Sequence, residues 1–205
     1  MVFLRIANFG FILKTYFMRK LKLQMNMTLD GFVGDSKGEL NWMLPEVDEK
    51  QIQYLHELTN SIDTIILGRV MATEGIPYWE SVAKSKSKNE EVAYANLFVK
   101  TPKIIFSKTL KNFEGENTSI EKGNLKKAIT QLKSEPGKDI MVYGGARFVL
   151  SLIEQNLIDE LHLFVHPVAI GNGLPIFGKK SKFELVKSEA YNNGIILHEY
   201  KAFEK

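Results

Sequence analysis

The stretch from Asp139 to Asn156, DIMVYGGARFVLSLIEQN, limits what this chain can fold into more than any other. A strand-like run, Ile140 to Tyr143, meets the pair Gly144-Gly145, then Arg147. A helical pattern follows, with Phe148, Val149, Leu152 and Ile153 on one face. Glycine costs backbone entropy and supplies no packing, so an ordinary turn has little use for two in succession. The pair is explained if the backbone must come very close to something at the start of a helix. Unpaired N–H groups and the positive end of the helix dipole make that place suited to an anion.

Two other strand ends share this character. The run TIIL closes in Gly68-Arg69 and opens a helical stretch around Arg69–Glu74, and KIIF, after Pro102, closes in Ser107-Lys108. Arg69, Lys108 and Arg147 add cationic donors, and the arginines can hold a phosphate in a fork. Together the three ends describe a cradle for a polyphosphate, with positive charge left for a third phosphate. Neither a GxGxxG fingerprint nor a Walker A pattern is present.

The remaining pattern places these ends on one sheet. Lys22–Thr28 reads as a strand, followed by a glycine-rich loop. Asp48–Asn60 reads as a helix with Ile52, Leu55 and Leu58 inward, and Ser61–Gly68 as a strand. Glu90–Phe98 and Gly123–Ser134 read as helices joined through KIIFS and a polar link, and Ala146–Gln155 as a helix. Asp159–Gly171 reads as one long strand, and a hairpin closes around Asn192-Asn193-Gly194. Strands alternate with helices for three quarters of the chain, and then strands follow alone. That is an α/β fold with a mostly parallel central sheet, an antiparallel C-terminal hairpin and flanking helices. Such sheets bind ligands at the C-terminal ends of their strands.

One domain is expected over residues 18–205. Residues 1–17 read as an N-terminal extension, either an upstream misassigned start or a terminal anchor. Arg5 and Lys14 break that apolar segment, and it is too short to span a bilayer. With 27 basic and 24 acidic residues, the formal charge of +3 points to neither nucleic acid nor membrane. The lack of cysteine excludes disulfides, thiolate nucleophiles and cysteine-ligated zinc, and fits a cytoplasmic protein.

From about Lys20 to Phe203 the chain resembles the dihydrofolate reductase-like fold. Within it, the chain is similar to the group related to the reductase domain of the bifunctional riboflavin biosynthesis deaminase–reductase. MTLDGFVG resembles the first strand and loop, TIILGR the second phosphate-binding strand, and IIFSK the strand that reaches the adenosine 2′-phosphate. IMVYGGARFVLSLIEQNLIDELHLFVHPVAIGNGLPIF resembles the most diagnostic stretch. The resemblance implies NADPH. Gly144, Gly145, Ala146, Arg147 and Phe148 would hold the pyrophosphate, with a cis bond between the two glycines. Gly68, Arg69, Val70 and Met71 would meet the other phosphates, through backbone only at Met71, where dihydrofolate reductases usually have threonine. Ser107 and Lys108 would favour the 2′-phosphate, and Asn26 and Val33 would hold the nicotinamide amide through backbone groups. A homodimer is implied as well.

The substrate side departs from the family. Val47 stands where dihydrofolate reductases carry an acid, with Glu46 and Asp48 on either side, and Tyr143 stands where riboflavin reductases carry one before the paired glycine. Asp30 matches the riboflavin-type motif. It either anchors substrate, and is then the candidate catalytic residue, or closes an Asx turn before Gly31. Trp42, Asp48 and Tyr143 are the candidate pocket residues, Trp42 alternatively being a loop anchor. His162 and His166 share a strand face, but no acid is placed to complete a metal site with them. The reading is an NADPH-dependent reductase that transfers hydride to a small heterocyclic or imine-type substrate, riboflavin-precursor-like or pterin-like. The competing class is a non-catalytic nucleotide-binding or dimerisation module that kept the scaffold.

Overall fold

Apolar side chains on both faces of a single sheet decide the packing. The structure, a computed structural model, describes residues 18–46, 48–87 and 90–203. The expectations for residues 1–17 and Val47 lie outside them. The elements run β1 (Leu21–Thr28), α1 (Glu49–Asn60), β2 (Ile62–Gly68), α2 (Arg69–Ala83), α3 (Glu90–Lys100), β3 (Lys103–Phe106), β4 (Thr118–Glu121), α4 (Leu125–Ser134), β5 (Asp139–Val142), α5 (Ala146–Glu154), β6 (Glu160–His166), β7 (Phe183–Ala190) and β8 (Ile196–Ala202). The strands form one sheet in the order β4-β3-β2-β5-β1-β6-β8-β7. Pairing is parallel from β4 to β6 and antiparallel for β6–β8 and β8–β7. The expected mostly parallel sheet with an antiparallel C-terminal hairpin is the one observed.

Alternation along β1 sets the two faces. Leu21, Leu23 and Met27 join Ile129 of α4 and Val149 and Leu152 of α5 in one cluster. On the opposite face Ile65, Leu67, Ile105 and Met141 pack on Ala72 and Ile76 of α2 and Phe98 of α3. Phe164 and Leu197 pack there on Tyr54 and Leu55 of α1. Each fully buried Leu, Ile or Phe contributes about 1.5–3 kcal/mol.

That burial explains why α2 runs on to Ala83, well past the helical stretch expected around Arg69–Glu74. It passes through Gly75 and Pro77 because Ala72, Gly75 and Ile76 are buried on one side. An internal proline costs roughly 3 kcal/mol, which the buried face outweighs. The long strand stops at His166, short of Gly171, because Pro167 has no N–H for the ladder and Val168 N–H turns back onto His166 O. The polar link holds an edge strand, β4, that its composition hides. Asp48 is the N-cap of α1 rather than its first residue, and α4 starts at Leu125 rather than Gly123 because Asn124 caps it, each cap accepting from a first-turn N–H.

The sheet also contains a split that positions the site. β1 pairs with β5 only from Leu21↔Ile140 to Leu23↔Val142, whereas its pairing with β6 continues to Thr28↔His166. Beyond Val142 the chain leaves through Gly144 and Gly145 into α5, and a gap opens between β1 and β5.

Candidate functional site

Two helix starts meet at the C-terminal edge of the sheet. β2 and β5 are parallel neighbours, in register at Ile66↔Val142, and each leads through glycine into a helix. Gly68 N–H donates to Gly144 O at 3.2 Å, and Phe148 and Val149 N–H donate to Gly145 O at 2.9 and 3.0 Å. Gly144 has φ 124° and Gly145 φ 71°, a region that side chains other than glycine avoid. A Cβ on Gly68 would sit 2.7 Å from Phe148 Cβ, and one on Gly145 3.6 Å from Gly68 Cα. The expected cis bond between the two glycines is not found, since no peptide bond among the described residues is cis. Positive φ accounts for the pair, and close approach for Gly68.

Neither helix start has a side-chain cap. The first-turn N–H groups of Val70, Ala146 and Arg147, which have no partner within their helices, therefore gather at one edge. Phe148 stacks on Phe106, ring centroids 5.3 Å apart, and so ties α5 to the end of β3. Arg69, Lys108 and Arg147 are exposed around this cradle, their side chains bonded to no described residue. Ser107 Oγ accepts from Thr109 and Leu110 N–H and lies 3.5 Å from Thr109 Oγ1. The Met71 side chain packs against Gly75, away from the edge. A glycine surface that a Cβ at Gly68 would crowd, ringed by three cations, fits a dinucleotide pyrophosphate with an additional phosphate.

The split beside it exposes backbone. Ile140 N–H donates to Lys20 O while Asp159 N–H donates to Leu21 O. Even residues of β1 thus turn their backbone groups toward β5, and odd residues toward β6. Asn26 lies past the last β1–β5 pair, so its N–H and C=O face the gap. Val33 N–H is taken by Leu174 O at 2.9 Å, which leaves only its carbonyl.

On the α1 face of the split lies a cavity of about 390 Å³. Asn26, Gln24 and His166 line its polar wall, Leu55, Ile195 and Trp79 its apolar walls, and Glu46, Glu90 and Glu91 its acidic side. Leu44 N–H donates to His166 Nδ1 at 3.3 Å, and His166 Nε2 meets Asn26 Oδ1 at 3.1 Å. Burial lowers the His166 pKa from its ordinary value, which keeps the imidazole neutral.

The structure does not bring the sequence-predicted pocket residues into this lining. Asp30 clamps two loops: its Oδ1 accepts from Thr28 Oγ1 at 2.6 Å, and its Oδ2 from Ile170 and Gly171 N–H at 3.1 and 2.7 Å. The Thr28 hydroxyl above all, with these amides, holds its carboxyl below the usual range. It is therefore an ionised acceptor rather than a proton donor. Asp48 caps α1 and accepts from Asn192 N–H at 3.0 Å. Tyr143 is packed behind Tyr94, ring centroids 6.4 Å apart, and Tyr94 is the one that reaches the cavity. Trp42 supports His166 edge-on at 5.3 Å. Sequence reasoning missed His166, Gln24, Tyr94 and the glutamates of α3. A signal existed for His166: its even spacing from His162 marks a polar face, which reads as ligands for a metal only if metal is what one seeks.

The model of the RibD C-terminal domain matches residues 19–197. The chain is 30% identical over 182 residues to YyaP of Bacillus subtilis (strain 168), described as uncharacterized, covering 87% of this chain and 92% of YyaP. A diaminohydroxyphosphoribosylaminopyrimidine deaminase/5-amino-6-(5-phosphoribosylamino)uracil reductase from Thermotoga maritima superposes with a TM-score of 0.64 at 17% identity. It covers 91% of this chain and 57% of that one. Dihydrofolate reductase from Enterococcus faecalis, complexed with NADP(H), superposes with a TM-score of 0.57 at 15% identity, covering 90% and 97%. These likenesses establish the dihydrofolate reductase-like fold.

Proposed function

The chain belongs to the RibD C-terminal domain family, and from that premise we propose that it is an NADPH-dependent reductase acting on a small heterocyclic or imine-type substrate. The observation that carries the reading is the joining of two uncapped helix starts through Gly68 N–H and Gly144 O. The backbone of Gly144, Gly145, Ala146 and Arg147 would hold the pyrophosphate. The Arg69 side chain would add charge, Ser107 and Lys108 would select the 2′-phosphate, and the backbone of Asn26 would hold the nicotinamide amide in the β1–β5 split. Bound there, NADPH supplies the hydride; the protein supplies orientation and a cavity that excludes water. The acidic, partly apolar cavity beside the split is the substrate side. Members related to the riboflavin enzyme often pair, and a homodimer belongs to the proposal.

Titration by calorimetry tests it. NADPH binds in the micromolar range, NADH at least tenfold more weakly, and Lys108→Gln narrows that ratio. No NADPH binding near millimolar concentration would overturn the reading. Binding of NADPH with no turnover of any reducible pyrimidine or pteridine would favour the scaffold-only module.

A further inference from the structure

The cavity beside the split carries charge of one sign. Glu46, Glu90 and Glu91 lie in its lining, and the described lining residues include no lysine or arginine. Its single histidine near the mouth, His56, is engaged by Glu90, Nε2 to Oε2 at 3.2 Å. Glu91 accepts from Tyr78 Oη at 2.9 Å, which steadies its carboxylate without neutralising it.

Deeper in, the hydrogen-bond logic is determined. A backbone N–H can only donate, so Leu44 N–H makes His166 Nδ1 the acceptor. The proton of the neutral imidazole then lies on Nε2, which donates to Asn26 Oδ1. His166 is 1% exposed and braced by Trp42, so this arrangement is held from behind. It orients the amide of Asn26, which lines the cavity, and leaves Nδ2 as its donor end, bonded to no described residue. Leu55, Ile195 and Trp79 provide apolar surface for a flat ring.

On the reductase reading above, we propose that the substrate is a flat ring that presents a carbonyl or ring-nitrogen acceptor to Asn26 Nδ2. Toward the mouth it carries an uncharged or cationic substituent, not a phosphate. A phosphate dianion placed among carboxylates is repelled by each of them, and no described lining cation offsets that. His166 is a positioning residue in this scheme, acting through Asn26.

A series of 6-ribosylaminouracils differing only at the sugar 5-position, as hydroxyl, amine or phosphate, tests this by calorimetry on the NADPH-saturated protein. The hydroxyl and amine forms bind at least tenfold more tightly than the phosphate, and the Glu90→Lys/Glu91→Lys variant narrows or reverses that order. Both glutamates are exposed, and a thermal melt beside the parent's checks that the variant is folded. Asn26→Asp keeps an acceptor for His166 Nε2–H but removes the donor, and weakens the hydroxyl form at least tenfold at unchanged Tm. Equal or tighter binding of the phosphate, an unmoved order in the lysine variant, parent-like binding by Asn26→Asp, or no binding by any of the three at millimolar concentration would each overturn the proposal. NADPH affinity, measured on the same samples without uracil, is a separate readout. Its loss in the parent sinks the reductase reading, while its retention beside any of the failures above sinks only the substrate class.

Discussion

Alanine at position 68 would put a Cβ 2.7 Å from Phe148 Cβ and 3.3 Å from Phe148 Cγ. The backbone there has φ −76° and ψ 159°, which alanine adopts freely, so the whole cost is steric. The obstructing Cβ belongs to the first turn of α5 and cannot rotate away. Either α5 moves by several tenths of an ångström or the Gly68 N–H···Gly144 O bond stretches. Overpacking of this kind costs about 1–3 kcal/mol, and in a domain of this size each kcal/mol lowers Tm by roughly 2–4 °C. Gly171→Ala serves as the contrast: that position has φ 74° with nothing within 4 Å of the added Cβ, so its cost of roughly 1–2 kcal/mol is purely conformational. Thermal unfolding and NADPH titration of both variants separate the two causes. Gly68→Ala loses stability and about tenfold in NADPH affinity, equivalent to about 1.4 kcal/mol; Gly171→Ala loses stability alone. A Gly68→Ala protein within 1 °C of the parent and equally good at binding NADPH would refute the interlocked cradle.

Acid stability reports on Glu160. His162 Nε2 at 3.6 Å, Lys20 Nζ at 2.6 Å and Lys22 Nζ at 3.7 Å from its carboxylate lower its pKa to about 2. Because the folded value is depressed, this stabilisation is complete above about 4.5 and drains away as pH falls toward 2. Chemical denaturation across that window shows a steeper loss in the parent than in Glu160→Gln; parallel curves would contradict the assignment. Asp30→Ala unlocks the two loops it joins, so hydrogen exchange at the Ile170 and Gly171 amides speeds up at least tenfold while β1 and β6 stay protected. Unchanged exchange there would show that the loops hold without the carboxylate.

The cradle was legible because its signal is local. A buried strand, glycine at the turn and a helix with an arginine in its first turn all lie within a dozen residues, and physics constrains such a stretch whatever surrounds it. The unusual peptide bond expected there was wrong, because positive φ at Gly144 and Gly145 already meets the demand for minimal side chains. The substrate side was far less legible. Asp30 and Asp48 look chemical in sequence, but carboxylates beside turns and helix starts are also the best acceptors for stray N–H groups, and the structure uses both that way. Tyr143 and Tyr94 cannot be ranked from sequence, since which of two packed rings reaches a cavity depends on where α3 lies.

Strand–helix alternation, a parallel sheet with an antiparallel close, and strand ends suited to phosphate can all be read along the chain, because periodicity and glycine placement act over a few residues. That Asn26 on β1, His166 on β6, Leu44 in a loop and Glu90 and Glu91 on α3 enclose one cavity emerges from the packing of the whole sheet. Those residues stand up to 140 positions apart, and what joins them is strand order: β5 parts from β1 after Val142 while β6 stays paired to Thr28. Pairing of that kind is a long-range choice made by the burial of both sheet faces at once, and no window of the chain contains it.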